Sequence, residues 1–256
     1  MLSDLTAGSL ADALRRRETA PLALVERTAL EQTPPCDALA ALAPSERVKI
    51  IAEIKRASPS KGALASIVDP AALAAQYASG GASAISVLTE ERRFLGSLED
   101  LRRVRAAVDV PLLRKDFIAE AYQVFEARAA GADLVLLIVA ALEQPLMQEL
   151  FDLSTELGMT VLVETHSGDE LERAIDLGAH LIGVNARNLS TFELDRNLFD
   201  QLSDRFPAGT IRVAESAVRT AEDVAHYRAS GADVVLVGEA LVTSDPLVTL
   251  ASFLEI

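Results

Sequence analysis

From residue 48 onward the chain alternates short apolar, β-branched runs with stretches whose apolar residues recur at helical spacing. The runs are Val48–Lys55, Ala84–Thr89, Pro111–Lys115, Leu134–Val139, Thr160–Thr165, Leu181–Asn185, Ile211–Glu215 and Val234–Gly238. Nearly continuous apolar runs of this length are what strands covered on both faces require. Between them, Pro70–Ser79, Ala119–Ala130 and Glu170–Leu177 carry the spacing of helices packed on one side. Eight strands alternating with helices over about 210 residues is the arithmetic of an α/β protein with a single (β/α)8 barrel, the TIM barrel.

An internal repeat supports the count. Gly81-Ala82, Gly131-Ala132-Asp133, Gly178-Ala179-His180 and Gly231-Ala232-Asp233 each precede a strand, at spacings of 50, 47 and 53 residues. That is two βα units apiece, so these sites mark the even-numbered strands, and each glycine is expected to end a helix in the left-handed conformation. A doubly wound open sheet shares the alternation but seldom shows eight evenly spaced strands. Residues 1–47 stand outside the repeat: Leu5–Arg17 has the pattern of an amphipathic helix, and Pro34-Pro35 ends whatever precedes it. This segment is too short to hold its own core, so 1–47 is expected to be a helical N-terminal extension packed on a catalytic barrel of 48–256.

Composition narrows the class. Half of the 256 residues are apolar, and 24 basic side chains face 38 acidic ones, a formal net charge of −14. Lone Cys36 excludes an intramolecular disulfide and any cysteine-rich metal site. The longest wholly apolar run, Leu134 to Leu142, is too short to span a bilayer, and the first residues lack a basic-then-apolar secretion signal. A cytoplasmic protein with no membrane partner is expected, a monomer rather than an oligomer. The acidic balance argues against nucleic acid and raises a question if the substrate is itself an anion. Lysine is the rare cation, with only Lys49, Lys55, Lys61 and Lys115 beside twenty arginines.

Alternate residues of a barrel strand point inward, and active sites lie at the C-terminal strand ends. The last inward positions are Glu53 and Lys55 in the first run, Lys115 in the third, Glu164 in the fifth, Asn185 then Arg187 in the sixth, and Glu215 in the seventh. Any one of these is ordinary where a strand meets solvent. Five strands that begin apolar and finish polar on one face require a shared cavity, because burying the charges singly is costly. Lys115 has the chemistry of a general acid and Glu164 that of a general base, while Glu53 and Glu215 can hold the lysines charged and aimed. Lys49 opens its strand at the opposite end and is given no role. Lys61, in the loop after the first strand, reads equally as a solvated lysine and as a substrate contact.

After the seventh and eighth runs come Ser216-Ala217 and Gly238-Glu239, each leading into a helical stretch where backbone N–H groups can bind a phosphate. The fourth run puts no charge at its mouth: Leu136 and Ile138, with Phe94, Phe117 and Leu189, can form an apolar wall for a flat ring. His166, His180 and His226 gather no metal set, and there is no dinucleotide fingerprint or nucleotide P-loop, so a reaction without cofactor or metal is expected.

These motifs have a known counterpart. The segment from Ile51 through Glu53, Lys55, Ser58 and Lys61 to Gly62 resembles the signature of the indole-3-glycerol-phosphate synthase family of tryptophan biosynthesis. The similarity continues through Leu113-Arg114-Lys115-Asp116-Phe117, Leu136–Ala140, Val163-Glu164, Ile182–Leu189, Ala214-Glu215-Ser216 and Leu236-Val237-Gly238. The resemblance implies closure of the indole ring of 1-(2-carboxyphenylamino)-1-deoxyribulose 5-phosphate, with loss of carbon dioxide and water. It implies Lys115 as the acid that polarises the ketone and Glu164 as the base of the dehydration. It further implies Lys55 as carboxylate contact and second acid beside Glu53, with Ser58 also at the substrate. Asn185, Arg187, Glu215 and Ser216 match residues that line the site or its phosphate end.

Two departures stand out. The family usually has glycine where this chain has Ala217, and residues 1–45 match its pattern poorly. A related isomerase acting on phosphoribosylanthranilate expects a cysteine–aspartate pair, but Cys36 lies outside the barrel. A degenerate barrel kept as a scaffold has no reason to retain Glu53, Lys55, Lys115 and Glu164 together.

Overall fold

The computed structural model describes residues 1–188, 191 and 193–256. Three helices, α1 (Leu2–Thr19), α2 (Leu22–Glu31) and α3 (Ala38–Leu42), precede the barrel. Its strands are β1 (Lys49–Ile54), β2 (Ala84–Leu88), β3 (Leu112–Lys115), β4 (Leu134–Ile138), β5 (Thr160–Thr165), β6 (Leu181–Asn185), β7 (Ile211–Glu215) and β8 (Val234–Val237). Each pairs in parallel with its sequence neighbours, and β8 closes on β1. Every strand falls within one residue at each end of its apolar run. Among the described residues no helix is long and apolar enough to cross a membrane.

The helices start where the sequence supplies caps. Asp69 accepts from the backbone of Ala71 and Ala72 ahead of Pro70–Ser79, Ser97 and Ser167 each accept from a residue three positions on, and Thr220 forms a capping box with Asp223. They stop at the repeat glycines: Gly81, Gly131, Gly178 and Gly231 have φ between 79° and 93°. The repeat aspartates then tie neighbouring strands together at the N-terminal rim. Asp133 accepts from the amide of Leu112 at 2.8 Å, and Asp233 from that of Arg212 at 3.0 Å.

Side chains alternate as the pleat dictates. Ile50, Ala52, Ile54, Ile85, Val87, Leu112, Val135 and Leu137 face the surrounding helices, while Ile51, Leu113, Leu134, Leu136, Leu162, Leu181, Val213 and Val234 fill the barrel. Arg114 breaks the pattern: it faces outward from β3 yet is fully buried. Its guanidinium meets Asp116 at 2.9 Å, the carbonyl of Gln123 at 2.6 Å and the Thr89 hydroxyl at 3.1 Å, so the charge is compensated in place.

The first helices are built into this core. Leu2 and Leu5 of α1 and Ala38 and Leu42 of α3 belong to the same apolar cluster as the barrel interior. Ser9 donates to Asp116 at 2.8 Å and accepts from Gln123 at 2.9 Å, and Asp12 holds Arg92 by two contacts of 2.8 and 2.9 Å. Helix α1 is thereby fastened over the C-terminal rim. Cys36 sits at the opposite rim, its amide on Asp133 at 2.8 Å, where it reaches no catalytic group.

Candidate active site

The strand ends converge on one open cavity. Glu53, Lys55, Ser58, Phe94, Lys115, Phe117, Leu136, Ile138, Glu164, Asn185, Arg187, Glu215, Ser216, Ala217, Gly238 and Glu239 all line it. Of the residues singled out in the sequence, Leu189 lies outside the described residues. The site residues named from sequence did not include Leu5, Pro59, Ser60, Leu88, Asp116, Leu194, Val218, Arg219 and Leu236, which also line it. Leu5 was hidden because only the fold brings α1 to the mouth.

Register decides which side chains meet. Glu164 is level with Ile138 on one side and Gly183 on the other, and Asn185 is level with Glu215. Lys115 reaches across from β3, its Nζ 2.9 Å from Glu164 Oε2 and 2.7 Å from Glu215 Oε2. Lys55 Nζ lies 2.7 Å from Glu53 Oε2. Asn185 donates to Glu164 Oε1 at 3.1 Å and accepts from Ser216 Oγ at 2.7 Å and the Arg187 amide at 3.0 Å. The acid and base singled out in the sequence are thus ion-paired to each other in the free site.

The glycines of the site have a steric reason. A Cβ on Gly183 would lie 2.1 Å from Glu215 Oε1, and one on Gly238 would lie 2.4 Å from Glu53 Oε2. A strand glycine here is a place where a neighbouring carboxylate lies against the backbone.

Two carboxylates beside one lysine cannot both keep full charge in a buried site. Burial pushes Glu164 up, but Lys115 and His166 outweigh it and hold the carboxyl well below its usual range. Burial also pushes Glu215 up, and neighbouring Glu164 adds to this, so that despite Lys115 it reaches about 8. Burial would lower Lys115, yet Glu164, Glu215 and Glu53 together raise it, so it stays charged. Glu164 is therefore the carboxylate of the pair and Glu215 the proton carrier, its buried Oε1 without a hydrogen-bond partner among the described residues.

A carboxyl raised from 4.5 to about 8 favours the protonated form in the folded state. Its burial therefore costs stability increasingly as pH rises through that window. Glu215→Gln copies the protonated form. It is expected to raise the melting temperature at pH 9 by about 4 °C, with the gain shrinking toward pH 5. A lower melting temperature than wild type at pH 9, by scanning calorimetry, would contradict this protonation state.

The far end of the cavity is built from backbone and cations. Ser216 and Ala217 both have positive φ, 71° and 58°, so the turn after β7 holds two consecutive left-handed residues. Lys61 comes over from the β1 loop to pair with Glu239, and Arg219 Nε stands 4.0 Å from the same carboxylate. Partial burial pushes Glu239 up, but Lys61, Arg219 and Lys55 outweigh it and lower it. Lys61, left open by the sequence, is thus engaged at this end. The opposite wall is apolar: the rings of Phe94 and Phe117 lie 6.1 Å apart beside Leu136 and Ile138. Buried Glu90 shapes the Phe94 loop by accepting from the amides of Arg92, Arg93 and Phe94 at 2.7 to 3.1 Å.

The family model described as indole-3-glycerol phosphate synthase matches residues 2–251. The chain belongs to this family. The indole-3-glycerol phosphate synthase of Leifsonia xyli subsp. xyli is 71% identical over 253 residues, covering 99% of this chain and 97% of that one. Indole-3-glycerol phosphate synthase 1 of Streptomyces coelicolor is 55% identical over 247 residues, covering 96% and 91%. Among solved structures, a thiamine phosphate pyrophosphorylase from Pyrococcus furiosus superimposes with a TM-score of 0.61 at 14% identity, over 80% of this chain and 93% of its own. That likeness speaks to the barrel alone. The family match corrects one expectation from sequence. It begins at residue 2, so the N-terminal segment falls within the family match.

Proposed function

We propose that this chain is an indole-3-glycerol-phosphate synthase, a carboxy-lyase of tryptophan biosynthesis. Its substrate in this reading is 1-(2-carboxyphenylamino)-1-deoxyribulose 5-phosphate. The observation that carries the reading is Lys115, clamped between Glu164 and Glu215 opposite an apolar wall, in a chain of this family. The aromatic ring lies against Phe94, Phe117, Leu136 and Ile138, its carboxylate meets Lys55, and the phosphate takes the Ser216–Ala217 and Gly238–Glu239 end. Arg187, Arg219 and Lys61 supply positive charge at that end, which reconciles an acidic protein with an anionic substrate.

In the first step the ring carbon bearing the carboxylate bonds to the ketone carbon, and the carbonyl oxygen takes a proton from Lys115. The carbon–carboxylate bond then breaks, carbon dioxide leaves, and its electron pair restores the aromatic ring. In the last step the new hydroxyl leaves as water with a proton from Lys55, while Glu164 removes a proton from the neighbouring methylene. Two protons are given and one is recovered, so each turnover consumes one proton net. Glu164 returns its proton to Lys115 across their 2.9 Å contact. Ion pairing of acid and base in the free site therefore serves the reset. Every side chain in this scheme comes from one chain, which supports a monomer, and a phosphorylated substrate that does not cross membranes supports a cytoplasmic location. Residues 48–256 carry the chemistry, and 1–47 close over it.

The test is indole fluorescence on adding the substrate to purified protein. A rise is expected, and folded protein that gives none would overturn the reading. Ala217 bears on affinity. Alanine in the left-handed region costs about 1 kcal/mol, and glycine removes that strain. Ala217→Gly is expected to leave KM unchanged or lower it; a clear rise in KM would show that the alanine is adapted to its turn.

A further inference from the structure

We propose that His166 is a positioning residue of this site: an imidazolium seated between Glu164 and Glu170, it keeps Glu164 ionised and aimed into the cavity. The proposal deepens the reading above, because it rests on Glu164 serving as a base.

The geometry leaves little choice of protonation. His166 is the first residue after β5, two positions beyond Glu164, while Thr165 between them turns away and donates to the carbonyl of Gly183 at 2.8 Å. Its side chain is 8% exposed. Nε2 lies 3.2 Å from Glu164 Oε1, close enough for an ion pair although not aligned as a hydrogen bond. Nδ1 lies 3.1 Å from Glu170 Oε2, which also accepts from the His166 amide at 2.8 Å. A neutral imidazole would have to turn one lone pair toward a carboxylate oxygen, so a ring with an acceptor at each nitrogen favours the doubly protonated form.

Local structure holds the ring there. Ser167 caps helix Gly168–Asp176, accepting from the Glu170 amide at 3.2 Å, and this places Glu170 in the first turn. Its carboxylate folds back onto His166 rather than into solvent. Among the described residues, Glu164 meets Lys115 from β3, Asn185 from β6 and His166, with Glu215 of β7 on the far side of Lys115 and Glu170 on the far side of His166. Burial alone would lower His166, but its contacts with Glu164 and Glu170 outweigh that and raise it to about 10. A cation that persists on this side matters once Lys115 has given up its proton. At that moment His166 is the remaining positive charge on Glu164.

Two measurements decide the proposal. Long-range nitrogen–proton NMR spectra of the wild-type protein at pH 8, with His166 assigned by its loss in His166→Asn, are expected to show an imidazolium. A neutral-tautomer pattern would overturn the proposal whatever the reaction turns out to be. In steady-state kinetics, His166→Asn is expected to lower kcat about tenfold, leave KM unchanged, and move the acid limb of the kcat profile up by about one pH unit. An unmoved limb refutes the role. If His166→Asn fails to fold, Glu170→Gln serves instead, with a smaller shift of the limb in the same direction expected and no shift overturning the proposal. Wild-type protein that forms no indole product refutes the proposed reaction, and the NMR pattern still decides the charge on His166.

Discussion

Lys115→Ala is expected to lower turnover at least ~100-fold while the barrel stays folded. The loss follows from the first bond-making step. Attack of the ring carbon drives the carbonyl electron pair onto oxygen, and without Lys115 that alkoxide loses the cation aimed at it, in a cavity lined on one side by Phe94, Phe117, Leu136 and Ile138. Asn185 can donate a hydrogen bond but no proton, and during this step Lys55 is occupied at the substrate carboxylate, which leaves only afterwards. Retention of the fold has its own reason. Removing Lys115 leaves Glu164 and Glu215 adjacent, but Glu215 already favours its protonated form, so the two can share a proton instead of repelling as two anions. The truncated side chain also borders an open cavity and not a sealed core. Fluorescence-detected turnover with circular dichroism on the same sample separates the effects. Near-wild-type turnover would remove Lys115 from the mechanism.

The architecture was legible in the sequence because its signals are local. β-branched runs and the Gly-Ala repeats act within a few residues, so strand ends fell within one position and the repeat glycines adopted positive φ. Parity along each strand was enough to place Glu53, Lys55, Lys115, Glu164, Asn185 and Glu215 at one cavity. What stayed hidden depends on register and on side-chain reach across strands. The Lys115–Glu164 contact needs β3 and β5 to face each other inside a closed barrel. The inverted protonation of Glu215 needs that contact and burial together. Arg114, named in sequence only as part of the third-strand motif, is buried because Asp116 and Thr89 face it from adjoining segments. His166 was set aside as a histidine without a metal set, since its carboxylate partners become visible only when the helix after β5 turns back. Lys61 had two open readings until Glu239, far away in sequence, was found beside it.

Gly183→Ala is expected to lower kcat about 100-fold with little loss of stability, the reverse of the usual penalty for a core substitution. The new Cβ would stand 2.1 Å from Glu215 Oε1, whereas its other near neighbours, the Glu215 carboxyl carbon and Leu162 Cδ1, lie at 3.2 and 3.4 Å. The clash is therefore with the tip of a flexible side chain, which can rotate away at modest cost. Gly183 is not a left-handed glycine, so alanine adds no backbone strain, and its β propensity exceeds that of glycine. Activity has no such tolerance. Glu215 Oε2 holds Lys115 at 2.7 Å, so displacing the carboxyl pulls the acid off its line to the ketone, and a misplacement of about 1 Å costs on the order of 100-fold. Substrate contacts at the ring and phosphate ends are untouched, so KM is expected to change little. A melting temperature close to wild type with kcat reduced about 100-fold would show that the glycine is kept for the position of Glu215. Unchanged kcat would show that Glu215 can hold Lys115 from a second rotamer, and the steric account of Gly183 would fail.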